Sequence, residues 1–200
     1  NPALKDAWLF QGIALAHTGR DEDAVIAFDQ ALTLDPYLAD ALIRKGIALV
    51  RLNRHDSAVA SFNLALDQNP KNVRAWYFKG VSLASLHQDD DAIRAFDNAI
   101  DIDPECIDAY RSKAQALMRI GKIPDAVAAY DFALGLEPDN PKTLLAKGIA
   151  LFKLRQFDEA VKAFDDVIEI DPGIADAFYH RGLALFELGH YDDAILAFNE

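Results

Sequence analysis

Apolar residues recur along this chain with the spacing of amphipathic helices. In residues 141–154 and again in residues 158–170, apolar positions fall at helical intervals, as at Val161, Phe164 and Ile168. This spacing places the apolar side chains on one side of a helix. The second segment is followed by Pro172, a residue that cannot continue a helix interior. The pattern therefore predicts two short amphipathic helices joined by a reversal and closed by a proline.

The predicted helix pair recurs at a constant interval along the chain. The closing prolines are evenly spaced, at Pro36, Pro70, Pro104, Pro138 and Pro172. Large apolar residues at the same interval form a column of Trp8, Leu42, Trp76, Tyr110, Leu144 and Phe178. A column of small residues contains Gly12, Gly46, Gly80, Ala114, Gly148 and Gly182. An aromatic column contains Phe28, Phe62, Phe96, Tyr130, Phe164 and Phe198. An internal repeat of this length indicates a helical repeat array.

These columns resemble the pattern of the tetratricopeptide repeat family over essentially all 200 residues. The resemblance implies an all-α solenoid of antiparallel helix pairs in a right-handed superhelix, with the first helix of each pair lining the concave side. It also implies a protein that holds other proteins. We expect one solenoid over residues 1–200, with repeats at 5–38, 39–72, 73–106, 107–140, 141–174 and 175–200, the last truncated.

The reversals and helix starts carry their own signals. The reversal column contains residues that mostly tolerate a left-handed backbone, with Arg155 as the exception: Gly19, Asn53, His87, Gly121, Arg155 and Gly189. Acidic residues crowd the start of the second helices, as at Asp21–Asp23 and Asp89–Asp91. We expect them to complement the helix dipole and to cap free N–H groups.

One helix pair does not bury enough apolar surface to fold alone, so stacking on neighbouring pairs is required. Small residues such as Gly148 and Ala160 let helices approach closely, and the Phe164 column fills the space between them. At the chain ends, Asn1-Pro2 matches Asn69-Pro70 and Glu200 falls within a second helix. We expect a window from a longer array whose ends expose Trp8, Ile195 and Phe198 and allow end-to-end self-association.

Composition narrows the environment. The single cysteine, Cys106, excludes an internal disulfide, which favours a reducing compartment. The sequence has no apolar run long enough to span a membrane and no secretory signal pattern. We expect a cytoplasmic protein without a membrane span.

Charge is distributed unevenly between the predicted helices. The net charge of −12 argues against nucleic acid as a partner. The first helices, taken as residues 5–18, 39–52, 73–86, 107–120, 141–154 and 175–188, hold 13 basic and 5 acidic side chains, and the rest of the chain holds 7 and 27. A column of cations on the first helices contains Lys45, Lys79, Lys113, Lys147 and Arg181. We expect these cations to bridge to acids such as Asp35, Asp103 or Asp171 in the adjoining repeat.

A second apolar stripe runs along the first helices, beside the core stripe, and changes from repeat to repeat. The fourth repeat breaks it with Arg111 and Gln115. Variation between equivalent repeats suits a specific binding wall, although the same residues could simply fill space between first helices. With flanking positions, the candidate concave face contains Leu9, Ile13, Ile43, Arg44, Ile47, Val50, Arg51, Arg74, Tyr77, Phe78, Val81, Arg111, Gln115, Met118, Arg119, Lys142, Leu145, Ile149, Phe152, Lys153, Tyr179, His180, Leu183 and Phe186.

The candidate face indicates the kind of partner. Some relatives grip a terminal carboxylate with a Lys, Asn, Asn, Lys, Arg clamp, but the matching positions in the first three repeats are Leu9, Ile13, Arg44, Arg74 and Phe78. That clamp is absent. An apolar groove with scattered cations suits an amphipathic helix or extended segment with some acidic residues. The candidate anchors are the aromatic residues of the face, Tyr77, Phe78, Phe152, Tyr179 and Phe186.

Catalytic patterns are missing from the sequence. It lacks G-x-S-x-G, a phosphate-binding glycine loop and H-E-x-x-H, and the five histidines show no ligand spacing. Helix capping explains Asp89–Asp91 better than calcium does. We expect no enzyme activity, cofactor or metal. Two alternatives to a peptide-binding scaffold stay open: a substrate-recruiting module of a larger enzyme with its catalytic domain elsewhere, and a self-assembling structural scaffold.

Overall fold

The computed structural model describes residues 2–200, and every helix or strand in that range is an α-helix. The helices are α1 (Pro2–His17), α2 (Asp21–Leu34), α3 (Ala39–Arg51), α4 (His55–Gln68), α5 (Val73–Ser85), α6 (Asp89–Ile102), α7 (Ile107–Arg119), α8 (Ile123–Leu136), α9 (Pro141–Lys153), α10 (Phe157–Ile170), α11 (Ala175–Glu187) and α12 (Tyr191–Asn199). Odd-numbered helices are the first helices of each pair. The prediction of an all-α fold is confirmed. Asn1 lies outside the described residues, and α1 begins earlier than expected, at Pro2.

The chain divides into two compact units, Asn1–Cys106 and Ile107–Glu200. Unit 1 contains α1 to α6, and unit 2 contains α7 to α12. In unit 1, α2 packs against α3 and α4 against α5; in unit 2, α8 packs against α9 and α10 against α11. Each unit is thus a stack of helix pairs, as a solenoid requires. No helix within residues 2–200 has the length and apolarity to cross a bilayer.

The reversal inside each helix pair uses a left-handed residue, as the sequence indicates. Positive φ angles occur at all six positions of the column: Gly19, Asn53, His87, Gly121, Arg155 and Gly189. At Arg155 the φ is 62°, and the Gln156 N–H then donates to the Leu151 carbonyl at 3.0 Å. The left-handed residue lets backbone N–H groups beyond the helix reach its last carbonyls. This explains why even arginine is held in a conformation that is costly for a side chain with a Cβ.

The acids at the starts of the second helices do not occupy the capping position. The residue before each second helix is Arg20, Arg54, Gln88, Lys122, Gln156 or His190, and none of these side chains caps its helix. Asp21, Asp158 and Asp192 lie inside the first turn, where they complement the helix dipole. The residues at the capping positions themselves therefore do not follow the expectation. Side-chain caps occur instead on two first helices, where Asn72 accepts from the Ala75 N–H and Asn140 from the Thr143 N–H, each at 2.9 Å.

The core of every helix pair except that of the fourth repeat is an aromatic ring set against a glycine. Phe28, Phe62, Phe96 and Phe164 are fully buried. A Cβ added at the facing glycine would lie only 2.5 to 2.6 Å from the ring in the pairs Gly12–Phe28, Gly46–Phe62, Gly80–Phe96, Gly148–Phe164 and Gly182–Phe198. Such a distance is well inside van der Waals contact, so only glycine lets the ring lie against the first helix. The predicted close approach at this column is confirmed.

The fourth repeat solves the same packing problem with different residues. Ala114 takes the place of the glycine, and Tyr130 takes the place of the phenylalanine. Both are buried, with Tyr130 only 3% exposed. Because Ala114 carries a Cβ, the Tyr130 ring cannot lie as close to α7 as the phenylalanine rings lie to their first helices.

The cation column forms ion pairs, but with different acids from those expected. Lys45, Lys147 and Arg181 each bond an aspartate on the second helix of the preceding repeat. The pairs are Lys45–Asp29 at 2.6 Å, Lys147–Asp131 at 2.6 Å and Arg181–Asp165 at 2.5 Å. At Lys79 the matching residue is Asn63, and the ammonium group lies 4.8 Å from the centre of the Trp76 ring.

The acids named from the sequence have other contacts, so that part of the expectation was wrong. Asp35 bonds Lys5 at 3.0 Å. Asp103 accepts the Glu105 N–H at 3.1 Å, and Asp171 accepts the Gly173 N–H at 2.9 Å. These last two are local turn contacts of an aspartate with the backbone two residues later. They shape the loop between repeats rather than holding the cation column.

The glycine–ring contact can be tested with two glycines of unit 2. In Gly148→Ala the new Cβ meets the Phe164 ring, whereas in Gly135→Ala the Cβ enters open space. Both substitutions replace a helical glycine with alanine, a better helix former, although Gly135 lies in the last turn of α8. We therefore expect Gly148→Ala to be less stable than Gly135→Ala by about 1 to 3 kcal/mol because of overpacking. Urea denaturation followed by circular dichroism measures the difference, and equal midpoints for the two variants would contradict it.

Candidate binding face on the first helices

The first helices of each unit form one surface, here called the first-helix face. In unit 1 it consists of α1, α3 and α5, and in unit 2 of α7, α9 and α11. Every residue of the candidate concave face lies on one of these helices, so the structure brings the predicted residues together within each unit. The surface formed by the even-numbered helices is called the second-helix face.

A small cleft of about 60 Å³ opens on the first-helix face of unit 1. Phe28 forms part of its lining, and the other residues are Ile13, Ala16, His17, Arg44, Ile47, Ala48, Arg51 and Arg74. The three arginines give this cleft a basic rim. Ile13, Arg44, Ile47, Arg51 and Arg74 were all predicted members of the binding face.

The arginines of this rim differ in how firmly they are held. Arg51 donates to the Ala16 carbonyl and to Asp21, each at 3.2 Å, which ties α3 to the first repeat. Arg44 bonds Asp40 at 2.8 Å on its own helix. Arg74 lies 5.8 Å from the centre of the Phe78 ring and forms no ion pair with a described residue. Arg74 is therefore the cation of this rim that is most available to a carboxylate.

A larger and more polar cleft of about 430 Å³ opens on the first-helix face of unit 2. It lies between α7 and α9, and its lining residues are Asp108, Arg111, Ser112, Gln115, Tyr130, Asn140, Pro141, Lys142, Thr143 and Ala146. Arg111 bonds Asp108 and also reaches Glu137 at 3.3 Å. The predicted residues Arg111, Gln115 and Lys142 thus share one site.

Aromatic side chains edge the first-helix face beyond these clefts. Tyr77 meets Phe78 edge to face, with ring centres 5.0 Å apart. In unit 2, Tyr179 and Phe186 are each 55% exposed. Large apolar rings exposed on the surface are common features of protein interaction sites.

Some predicted residues of the face are covered by their neighbours. Leu9, Ile43 and Ile47 are less than 9% exposed and belong to the core of unit 1. They therefore shape the face but offer little area for contact with a partner. Val50, Phe78, Leu145, Ile149 and Phe152 are partly buried against the core clusters of their own units.

The sequence also compares directly with known proteins. A family model described as "Tetratricopeptide repeat" matches residues 1–39, 43–105, 86–141, 111–173 and 145–200. These overlapping matches cover nearly the whole chain. This chain belongs to the tetratricopeptide repeat family. No match was found among curated proteins.

Solved structures show the same tetratricopeptide fold at low sequence identity. MamA from Desulfovibrio magneticus RS-1 has a TM-score of 0.80 and 20% identity, covering 85% of this chain and 96% of that one. PilF from Pseudomonas aeruginosa has a TM-score of 0.79 and 19% identity, covering 98% and 89%. YrrB, described as a TPR protein with an unusual peptide-binding site, has a TM-score of 0.76 and 21% identity, covering 85% of this chain and 88% of that one.

The structure places two further aromatic residues beside the first-helix face. The sequence interpretation missed both. Phe157 and Tyr191 begin second helices, yet they meet Phe152 and Phe186 edge to face, each pair with ring centres 5.3 Å apart. The sequence does contain a signal for them, because both pairs span the reversal with the same separation. Both pairs lie in unit 2, which makes its face the more aromatic.

His180 is a titratable residue of the first-helix face whose pKa is shifted. Its ring stacks on buried Phe164, with ring centres 5.8 Å apart. Burial lowers the pKa of His180 below its ordinary value of 6.5, and the nearby Asp176 carboxylate partly opposes this shift. The folded chain therefore favours neutral His180 more strongly than the unfolded chain does.

This pKa shift makes stability depend on pH in a defined direction. As the pH falls below 6.5, the unfolded chain binds the proton first, so the folded state loses stability until His180 also titrates in the folded chain. We expect His180→Phe, which copies Phe78 of the equivalent position, to lack this loss. Urea titrations between pH 7 and pH 5 measure it as a difference between the two proteins. A constant difference over that range would contradict the assignment.

Proposed function

We propose that this chain is a non-catalytic scaffold that holds a segment of another protein along the first-helix face. The segment is an amphipathic helix or extended strand with some acidic residues. The observation that carries the proposal is the coincidence, within each unit, of exposed aromatic rings, a cleft and cations without an ion pair to a described residue, such as Arg74 in unit 1 and Lys142 in unit 2, on the first-helix face. YrrB, which has a similar fold, is described as having an unusual peptide-binding site, and this supports the same class of function here.

Charge favours the first-helix face for an acidic partner. The first helices hold 13 basic and 5 acidic side chains, whereas the remainder holds 7 and 27. Many of these cations are already paired with aspartates, so the useful charges are those without a partner. Arg74, Lys142 and Lys153 form no ion pair with a described residue. An acidic segment is thus attracted to this face and repelled elsewhere.

The second-helix face is a poorer candidate for the same partner. It carries a wide groove of about 600 Å³ in unit 1, lined in part by Leu32, Leu42 and Leu64. Acidic side chains dominate the helices around this groove, and its one cation, Lys45, is bonded to Asp29. An apolar segment with acidic residues would meet like charge there.

A role as the substrate-recruiting module of a larger enzyme is compatible with the same binding face, since recruitment is also peptide binding. The cytoplasmic location expected from the single Cys106 stays a prediction.

The proposal predicts that the exposed aromatic rings of the first-helix face act as anchors. A random dodecapeptide library displayed on phage is selected on the wild-type chain, and the affinities of the selected peptides are measured by fluorescence polarisation. We expect Phe186→Ala to weaken binding by about tenfold or more, because anchor rings dominate peptide affinity. Tyr77→Ala and Phe152→Ala test anchors that are more deeply packed.

The matched control is Phe132→Ala. Phe132 is 63% exposed, close to the 55% of Phe186, but lies on α8 of the second-helix face. We expect this variant to bind the peptides as the wild type does. Equal losses in Phe186→Ala and Phe132→Ala, or selection of no peptide at all, would overturn the proposal.

A self-assembling scaffold is the second candidate, favoured by the exposed residues of α12. Ile195 is 58% exposed, whereas Val25 at the equivalent position of the first repeat is 9% exposed. Val25 is covered because α3 packs against α2. Phe198 is also 46% exposed. An apolar surface of this kind can bind a second copy of the chain.

Sedimentation equilibrium tests this second candidate. We expect the wild type to self-associate at high concentration and Ile195→Glu to remain monomeric, because the charge would be buried in the contact. Ile26→Glu is the matched control, since Ile26 is 59% exposed on α2. A wild-type chain that stays monomeric at high concentration would exclude this candidate.

A further inference from the structure

One column of residues covers the aromatic rings of the preceding repeat, and it differs between repeats. Each member lies on the first helix that follows the ring. Phe78 stacks on Phe62 with ring centres 6.3 Å apart and an interplanar angle of 19°. His180 stacks on Phe164 at 5.8 Å and 21°. The residue at the equivalent position after Tyr130 is Ala146, whose side chain is a single methyl group. Ala146 and Tyr130 both line the cleft of about 430 Å³ in unit 2, so the cleft occupies the space that a ring fills elsewhere.

The floor of this cleft contains a buried hydroxyl group without a protein partner. Tyr130 is 3% exposed, and the four phenylalanines that are buried at equivalent positions have no hydroxyl. The Tyr130 hydroxyl forms no hydrogen bond to a described residue, yet its oxygen is not fully enclosed by protein atoms. It therefore opens on the cleft. A ligand that bonds this hydroxyl does so in a largely buried site, where a hydrogen bond is stronger than in open water.

The walls of the cleft supply further hydrogen-bond donors. Ser112 and Gln115 replace the apolar or aromatic residues that stand at most equivalent positions. Arg111 is already paired with both Asp108 and Glu137. Lys142 is exposed and forms no ion pair with a described residue. The unpaired cleft groups are thus one cation, two hydroxyls and one amide, all of which can donate to an anionic oxygen.

We propose that this cleft is a specificity pocket that binds the side-chain carboxylate of a glutamate or aspartate in the partner segment. The carboxylate accepts hydrogen bonds from the Tyr130 hydroxyl and the Lys142 ammonium group, with Ser112 and Gln115 beside it. This inference rests on the proposed function, because it names the chemistry by which the first-helix face selects a peptide.

Charge and volume decide between a carboxylate and a neutral side chain. A neutral amide does not attract the Lys142 ammonium group, whereas a carboxylate can bond the cation and the hydroxyl together. A volume of about 430 Å³ exceeds the needs of one carboxylate group, so the pocket admits an entire acidic side chain and its backbone.

The test uses peptides selected from the same dodecapeptide library and their Glu→Gln or Asp→Asn analogues. We expect most selected peptides to contain an acidic residue whose amide analogue binds the wild type about tenfold or more weakly, as for the loss of a charged hydrogen bond. In Ala146→Phe the new ring fills the pocket, as Phe78 does above Phe62. We expect the acidic peptide and its amide analogue to bind this variant equally weakly.

Two smaller substitutions keep the test decisive if Ala146→Phe fails to fold. Tyr130→Phe removes only the hydroxyl and copies the residue of the other repeats. Lys142→Gln removes only the exposed charge. In a double-mutant cycle, each should reduce the preference for the acidic peptide over its amide analogue by about threefold or more. Lys162→Gln, which removes a charge on α10, is the control and should leave that preference unchanged.

The outcomes separate this inference from the proposed function. Peptides that bind at the anchors but show no acid preference overturn the pocket and leave the scaffold intact. An acid preference that persists unchanged in Tyr130→Phe and Lys142→Gln also overturns the pocket, since the carboxylate would then bind elsewhere. Selection of no peptide on the wild-type chain overturns the scaffold, and the pocket with it. A preference that is lost in both variants and retained in Lys162→Gln supports the pocket.

Discussion

The close contact between a buried aromatic ring and a glycine sets the distance between the two helices of nearly every pair. Because a Cβ on Gly46 would lie 2.6 Å from the Phe62 ring, the ring has no alternative position against α3. A ring fixed in this way presents its other side to the next repeat. The stacking of pairs within each unit therefore depends on a contact inside each pair, which is why the columns of glycine and phenylalanine recur so regularly.

The same constraint explains how much of the fold the sequence predicts. Packing columns repeat because every pair meets the same steric requirement, so the helices, the reversals and the ring–glycine contacts could all be read from the period. Ion pairs were predicted less well, because a surface lysine can reach several acids and the alternative ion pairs have similar free energies. Lys45 bonds Asp29 rather than Asp35, and no periodic pattern distinguishes these two aspartates. The acids in the first turns of the second helices were expected to cap them, but a favourable interaction with the helix dipole does not require a capping hydrogen bond.

The candidate site was predicted only in outline for a related reason. Arg111 and Gln115 stand out in the sequence because they interrupt an apolar stripe. The cleft beside them depends on Tyr130 and Ala146, which lie on different helices and each look conservative alone. The cleft needs both exceptions at once. Tyr130 adds a hydroxyl to a buried ring, and Ala146 leaves that ring without a covering side chain. Such a site arises from a pair of exceptions, whereas periodicity reveals what the repeats have in common.

Folding and recognition can vary independently in this architecture because they use opposite sides of the same ring. One side of each ring lies against the first helix of its own pair and tolerates only glycine or, with a tyrosine, alanine. The other side faces a column that holds Arg44, Phe78, Ala146 and His180 without disturbing the pair. Substitutions in that column change the depth and polarity of the first-helix face while the helix spacing is preserved. A solenoid built on this contact can therefore acquire a pocket in one repeat and a filled surface in the next.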